Sequence, residues 1–167
     1  MRKLLLLFLC VPILSHGQQT FIPGQSYFGQ NNYIEYIAGN LPIIIVVPHG
    51  GSLIPANLPI IGIHGVDNGT FETSHLVYDS IIYHTNGCFP HMIISHLHPT
   101  VMNPAREIDS AAGTNLDARN AWYDFHDFID TAKYDITNNW GAGHYFEMHG
   151  NGHSDMWTEI GLGISKI

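Results

Sequence analysis

The sequence predicts an α/β domain built on a largely parallel sheet, and three observations lead there. Ile43 to Val47 is an unbroken β-branched run, too short for a helix and typical of a strand buried on both faces. Met92 to His98 and His144 to His149 are two more strand-like runs, the first bounded by Pro90 and Pro99. Between these runs lie two stretches of helical period, and strands that alternate with helices favour parallel pairing through crossovers.

Met1-Arg2-Lys3, an apolar run from Leu4 to Leu14 and then Ser15-His16-Gly17 have the layout of a secretory signal peptide. The apolar run is too short to span a bilayer, which takes ~20 residues. Residues 1–17 are therefore set aside and residues 18–167 are taken as a single domain, secreted, with no stable membrane insertion after cleavage. Residues 18–40 show no sustained period, apart from one short strand expected around Tyr33–Ile37. The Ile43–Val47 strand is ended by Pro48, which cannot donate into a ladder. A loop from Gly50 to Gly69 follows, with Pro55, Pro59 and the apolar piece Ile60–Ile63.

Thr70 to Thr85 reads as the first helix, with Asp67 or Thr70 as its cap and Asn86-Gly87 as its stop. Phe71, Leu76, Val77, Ile81 and Ile82 are its expected apolar stripe. Thr100 to Thr114 reads as irregular. In Asn115–Asn138, residues Ala118, Trp122, Phe125, Ile129, Ala132 and Ile136 recur at spacings of three and four, the mark of a core-facing helix. A last strand is expected over Thr158–Ile164.

Composition narrows the function. Removing Arg2 and Lys3 leaves four basic against fourteen acidic residues, a net charge of −10 (4 − 14), so nucleic acid is a poor partner. Cys10 leaves with the signal, and Cys88 alone cannot form an internal disulfide. Eleven histidines remain, and histidine is the commonest metal ligand. Two of them close strands in the same way, in Val47-Pro48-His49-Gly50-Gly51 and Glu147-Met148-His149-Gly150. If those strands are parallel neighbours, both imidazoles reach the carboxyl rim of the sheet, where ligands of open α/β sheets collect. A mononuclear zinc site takes three nitrogen or oxygen ligands and leaves a position open. Asp67, just before the first helix, is the third candidate, with Glu72 one turn further in as the alternative. Each also has a plainer role: Asp67 as a helix cap, His49 as a strand-end cap, Glu159 as a solvated strand residue. His96 and His98 alternate before Pro99 and are not assigned, and His149 and His153 lie in a loop rather than at helical spacing. Arg106, in an irregular segment after a strand end, can grip a carboxylate through two parallel hydrogen bonds, or pair with Glu107 or Asp109.

Val47-Pro48-His49-Gly50-Gly51, Asp67-Asn68-Gly69-Thr70, Leu97-His98-Pro99, Asn103-Pro104-Ala105-Arg106-Glu107, Glu147-Met148-His149-Gly150 and Glu159-Ile160-Gly161, in that order, resemble the N-formylglutamate amidohydrolase family, relatives of the zinc carboxypeptidases. The resemblance runs over about residues 41–164. It implies a three-layer α/β/α domain of the phosphorylase/hydrolase-like kind with a mostly parallel mixed sheet. It implies His49 and His149 as zinc ligands, Arg106 with Asn103 as substrate-binding residues and Glu159 as the catalytic proton shuttle. The chain departs from the pattern at Ser52, where the related enzymes supply a glutamate ligand, and at Pro99, Asn103 and Ala105, where the family carries an arginine and an Asp-x-Asn-Arg run. The expected function is a secreted zinc-dependent hydrolase of an amide bond beside a carboxylate, acting on a small molecule or a peptide end. The alternative is an inactive protein on the same fold that binds metal or a small acid. Asp67 is expected to face the two histidines while its neighbour Asn68, the acceptor of the Asn68-Gly69-Thr70 glycosylation sequon, turns to solvent.

Overall fold

The Ile43–Val47 run forms an interior strand of a five-stranded sheet, in a computed structural model that describes residues 20–151. In chain order the strands are β1 (Ser26–Phe28), β2 (Ile34–Ile37), β3 (Ile43–Val47), β4 (His91–Ser95) and β5 (His144–Glu147). The helices are α1 (Thr70–His84), α2 (Ile108–Ala112) and α3 (Leu116–Trp140). The sheet order is β1-β2-β4-β3-β5. Strand β3 pairs in parallel with β4 on one side and β5 on the other, and β2 and β1 extend the sheet antiparallel beyond β4. The domain is thus α/β with a mixed sheet, parallel around β3 and antiparallel in its first two strands. The signal-like residues 1–17 and the expected strand Thr158–Ile164 lie outside the described residues. No helix among the described residues is long and apolar enough to cross a membrane.

Side chains alternate across a strand, and the core divides accordingly. Ile44, Val46, Ile34, Tyr36 and Ile93 join Ala118, Ala121, Phe125, Ile129, Ala132 and Ile136 of α3 in one cluster. Ile45, Val47, Met92 and Ile94 join Tyr78 of α1 in a second. Helix α3 presents the expected stripe, with Ala121 buried and Trp122 only partly so, and its first turn is capped by Asn115, whose side chain accepts from Ala118 N–H at 3.0 Å.

Helix α1 packs Phe71, Ile81 and Ile82 of its expected stripe against the core, but not Leu76 and Val77. Thr70, Ser74 and Tyr78, one turn apart, are buried, whereas Leu76 is 70% exposed and Val77 lies outward with it. Small polar side chains suit this contact because Ser74 Oγ donates to the Thr70 carbonyl at 2.6 Å, leaving no bare hydroxyl. The cap differs too: Gly69 holds the N-cap at φ 78°, and the Asp67 side chain makes no cap hydrogen bond. Asn86 (φ 56°) and Gly87 (φ 95°) supply the left-handed stop. Cys88 is a half-buried free thiol.

His91, at the start of β4, is 1% exposed, and burial pulls its pKa below the ordinary 6.5, partly opposed by Asp135. The unfolded chain therefore binds a proton that the folded chain resists. Its share of stability is complete above about pH 6.5 and is lost as pH falls below it. Urea unfolding at pH 7.5 and pH 5 should show a loss of stability on acidification that shrinks in His91→Gln. An equal loss in both proteins would exclude His91 as the source.

Candidate metal centre

The carboxyl ends of β3 and β5 lie side by side because Ile43–Val46 pair in register with His144–Glu147. Met148 N–H continues the ladder to the Val46 carbonyl at 2.8 Å, so His149 leaves β5 beside the point where His49 leaves β3. The two imidazoles meet edge to face, 4.9 Å between ring centres. Asp67 is drawn in by its backbone, whose N–H donates to the His49 carbonyl at 3.1 Å. Its Oδ2 then lies 3.3 Å from His49 Nδ1 and 3.1 Å from His149 Nδ1. Close approach needs Gly150, since a Cβ there would meet Asp67 Cβ at 3.1 Å. Gly51 is required for another contact, with the His96 backbone at the exit of β4, rather than for a ligand.

Hydrogen placement follows from fixed donors. The Ala105 backbone N–H can only donate, and it points at Asn103 Oδ1 at 3.2 Å, so that atom is an acceptor. The same oxygen lies 2.8 Å from His49 Nε2, which must therefore carry the ring hydrogen and leave the Nδ1 lone pair toward Asp67. His149 stands between two carboxylates, its Nε2 3.1 Å from Glu147 Oε1 and its Nδ1 3.1 Å from Asp67 Oδ2, so either nitrogen can donate and the imidazolium donates from both. With its hydrogen on Nε2, neutral His149 turns a lone pair toward Asp67 beside that of His49, whereas the imidazolium donates to Asp67 from Nδ1. All three potential ligand atoms lie within 4.8 Å of one another. Glu147, and after it Asp67, hold the His149 pKa above the imidazole range against partial burial. The His149 hydrogen bond holds Glu147 below the carboxylate range.

The outer acceptors fix ring orientation, a device whose loss costs metal affinity about 10–100-fold. Asn103→Leu should weaken zinc binding by that order while leaving the fold intact, measured by competition with a chromogenic chelator. Zinc affinity unchanged in Asn103→Leu would mean that His49 is oriented by other contacts.

His49, Asp67 and His149 are thus brought together, and Asn68 is exposed beside them. Glu72 and Ser52 are exposed and stand outside the group. Asn103 is buried at 4% exposure behind His49, its Nδ2 without a hydrogen-bond partner. His96 Nε2 lies 2.9 Å from Glu35 Oε2, and His98 Nδ1 accepts from Thr100 N–H at 3.1 Å. Glu159 lies outside the described residues.

Arg106 is exposed on the Pro104–Glu107 segment, which is strapped to α3 by Trp122 Nε1–H donating to the Arg106 carbonyl at 2.9 Å. Its guanidinium donates to His64 Nε2 at 3.2 Å, while Asp109 pairs with Arg119 at 2.7 Å. A cavity of about 370 Å³ opens between this segment, α3 and β5, and Arg106, Trp122, Lys133 and Glu147 line it. Glu147 therefore touches both the cavity and His149. Sequence reasoning missed its role, although a Glu two residues before His149 on an extended chain shares its side of the sheet. No known protein family, curated protein or solved structure matches this chain.

Proposed function

We propose that the chain is a secreted zinc-dependent hydrolase that cleaves an amide bond adjacent to a carboxylate, on a three-layer α/β/α domain of the phosphorylase/hydrolase-like kind, as its resemblance to the N-formylglutamate amidohydrolases implies. One observation carries this reading: Nδ1 of His49, Nδ1 of His149 and Oδ2 of Asp67 converge as potential ligand atoms, each ring backed by an oxygen on its far side. The donor set, two nitrogens and one oxygen, suits zinc with one position left open. Zinc held there supplies Lewis-acid polarisation of a carbonyl and acidifies water toward neutral pH.

The protein's own residues supply the rest. Asn103 and Glu147 keep the two rings from turning. Arg106 takes the substrate carboxylate in a two-pronged hydrogen bond and so places the neighbouring amide at the rim. The cavity walled by Arg106, Trp122 and Lys133 holds the remainder of the substrate and keeps bulk water from it. Glu159 accepts a proton from the attacking water and returns it to the leaving amine.

The test is amide hydrolysis of a panel of N-acyl amino acids, with and without chelator. Activity lost on chelation and restored by zinc supports the hydrolase. One tight zinc per chain with no turnover of any acyl amino acid would favour the inactive binding protein. In the active enzyme, Arg106→Lys should raise KM several-fold with kcat little changed, because a point charge cannot replace the planar fork. A KM that stays put while the melting temperature drops would make Arg106 a structural residue.

A further inference from the structure

Helix α1 has an Asn-Gly pair at each end, Asn68-Gly69 before it and Asn86-Gly87 after it. All four residues are exposed, and a Cβ added at either glycine would meet nothing within 4 Å. The two pairs differ in one hydrogen bond. Gly87 N–H donates to the Ile82 carbonyl at 2.9 Å, in the left-handed stop of the helix. Gly69 N–H has no acceptor among the described residues, and the Asn68 side chain makes no hydrogen bond there either. This pair forms the centre of a turn that Thr70 N–H closes by donating to the Asp67 carbonyl at 3.1 Å. Gly69, at φ 78° and ψ −4°, is the third residue of a type II turn.

We propose that Asn68 is a site of spontaneous deamidation, and that its conversion loosens Asp67 in the metal centre. The Gly69 nitrogen attacks Asn68 Cγ, its proton passing through water to the leaving amide nitrogen. The new N–Cγ bond closes a five-membered succinimide, and the Cγ–Nδ2 bond breaks to release ammonia. Water then opens the ring. Cleavage of the N–Cγ bond leaves aspartate, and cleavage of the bond to the main-chain carbonyl leaves isoaspartate. Water is the only co-reactant consumed. The closure needs a glycine nitrogen that is free and uncrowded, which Gly69 offers at once and Gly87 offers only after its hydrogen bond opens. Isoaspartate carries the main chain through Cβ and Cγ, one atom longer, inside the turn that joins Asp67 to Thr70. Asp67 Oδ2 then loses its place 3.3 Å from His49 Nδ1 and 3.1 Å from His149 Nδ1. The effect on zinc rests on the metal centre proposed above, whereas the conversion of Asn68 does not.

The experiment ages the zinc-loaded full chain at mildly alkaline pH and follows each asparagine by peptide mapping with mass spectrometry. The chain is produced without glycosylation, because a glycan on Asn68 would occupy the leaving nitrogen. Mapping separates Asn68 and Asn86 from Asn151-Gly152, which runs beyond the described residues. Asn68 should convert at least about five-fold faster than Asn86, whose following N–H is protected by its hydrogen bond. Zinc content should fall in step with isoaspartate at residue 68. Asn68→Gln, which lacks the five-membered closure, should keep its zinc over the same time. Conversion of Asn68 no faster than that of Asn86, or full zinc retention with isoaspartate at residue 68, would overturn the assignment. A fresh chain that takes up no zinc would count against the metal centre instead, and the peptide map would still decide the conversion.

Discussion

Replacing either His49 or His149 with alanine should reduce zinc from one per chain to a trace. Each substitution removes one of three inner ligands, and the two that remain, for instance Asp67 with His149, cannot hold the ion against a chelator. The measurement is metal content by plasma emission after dialysis at neutral pH against a weak chelator. A double variant, His49→Ala with His149→Ala, that still retained one zinc per chain would refute the site. The far histidines offer a control: His84 and His144 are exposed and outside the group, so His84→Ala should leave zinc content at one.

The second large effect is in the core. Ile45 sits at 0% exposure on the strand flanked by β4 and β5 and packs in the cluster with Met92, Ile94 and Tyr78. Ile45→Ala removes buried methyl and methylene groups and leaves a cavity, at a cost of about 2–5 kcal/mol. That is a large part of the ~5–15 kcal/mol that stabilises an ordinary domain. Leu76→Ala on α1, at 70% exposure, should move stability by no more than about 0.5 kcal/mol. Urea unfolding of the two variants reads the contrast directly. A large loss in Leu76→Ala would show that α1 turns its leucine inward after all.

The contrast between these two residues also marks where the sequence was legible. A β-branched run such as Ile43–Val47 has one reading, because only a strand covered on both faces tolerates it, and the structure places it between β4 and β5. The α3 stripe was equally plain, since apolar residues at three- and four-residue spacing sit opposite charged ones. Helix α1 was not plain. Its apolar residues spread around the axis, so that Phe71, Ile81 and Ile82 face the core with buried Thr70, Ser74 and Tyr78 while Leu76 faces solvent. Strand β1 has only three residues and no run of its own; it exists because Ser26–Phe28 find partners in Ile37–Glu35. The short helix α2 was missed in the segment after Pro99 for the same lack of a local period. For the site, His49 and His149 could be anticipated from matching strand ends. Asp67 was anticipated from its place before α1 at the same rim, while the backbone hydrogen bond to the His49 carbonyl that draws it in was not.

The pairing of β3 with β5 has a kinetic consequence. Ile43 and His144 lie about a hundred residues apart, and all three helices and β4 are strung between them. Closing so long a loop costs conformational entropy before any contact repays it, so parallel pairings of this kind form late and slowly. Hairpin-like pairing of β1 with β2, by contrast, needs only a few residues of chain and can form early. The three converging ligands include one from before that long closure and one from after it. Any metal that requires all three must therefore wait for the slowest pairing. Once bound it slows the reverse step, since opening β5 from β3 also tears the ion from its ligands. An ion bound there would act as a latch on the pairing of β5 with β3.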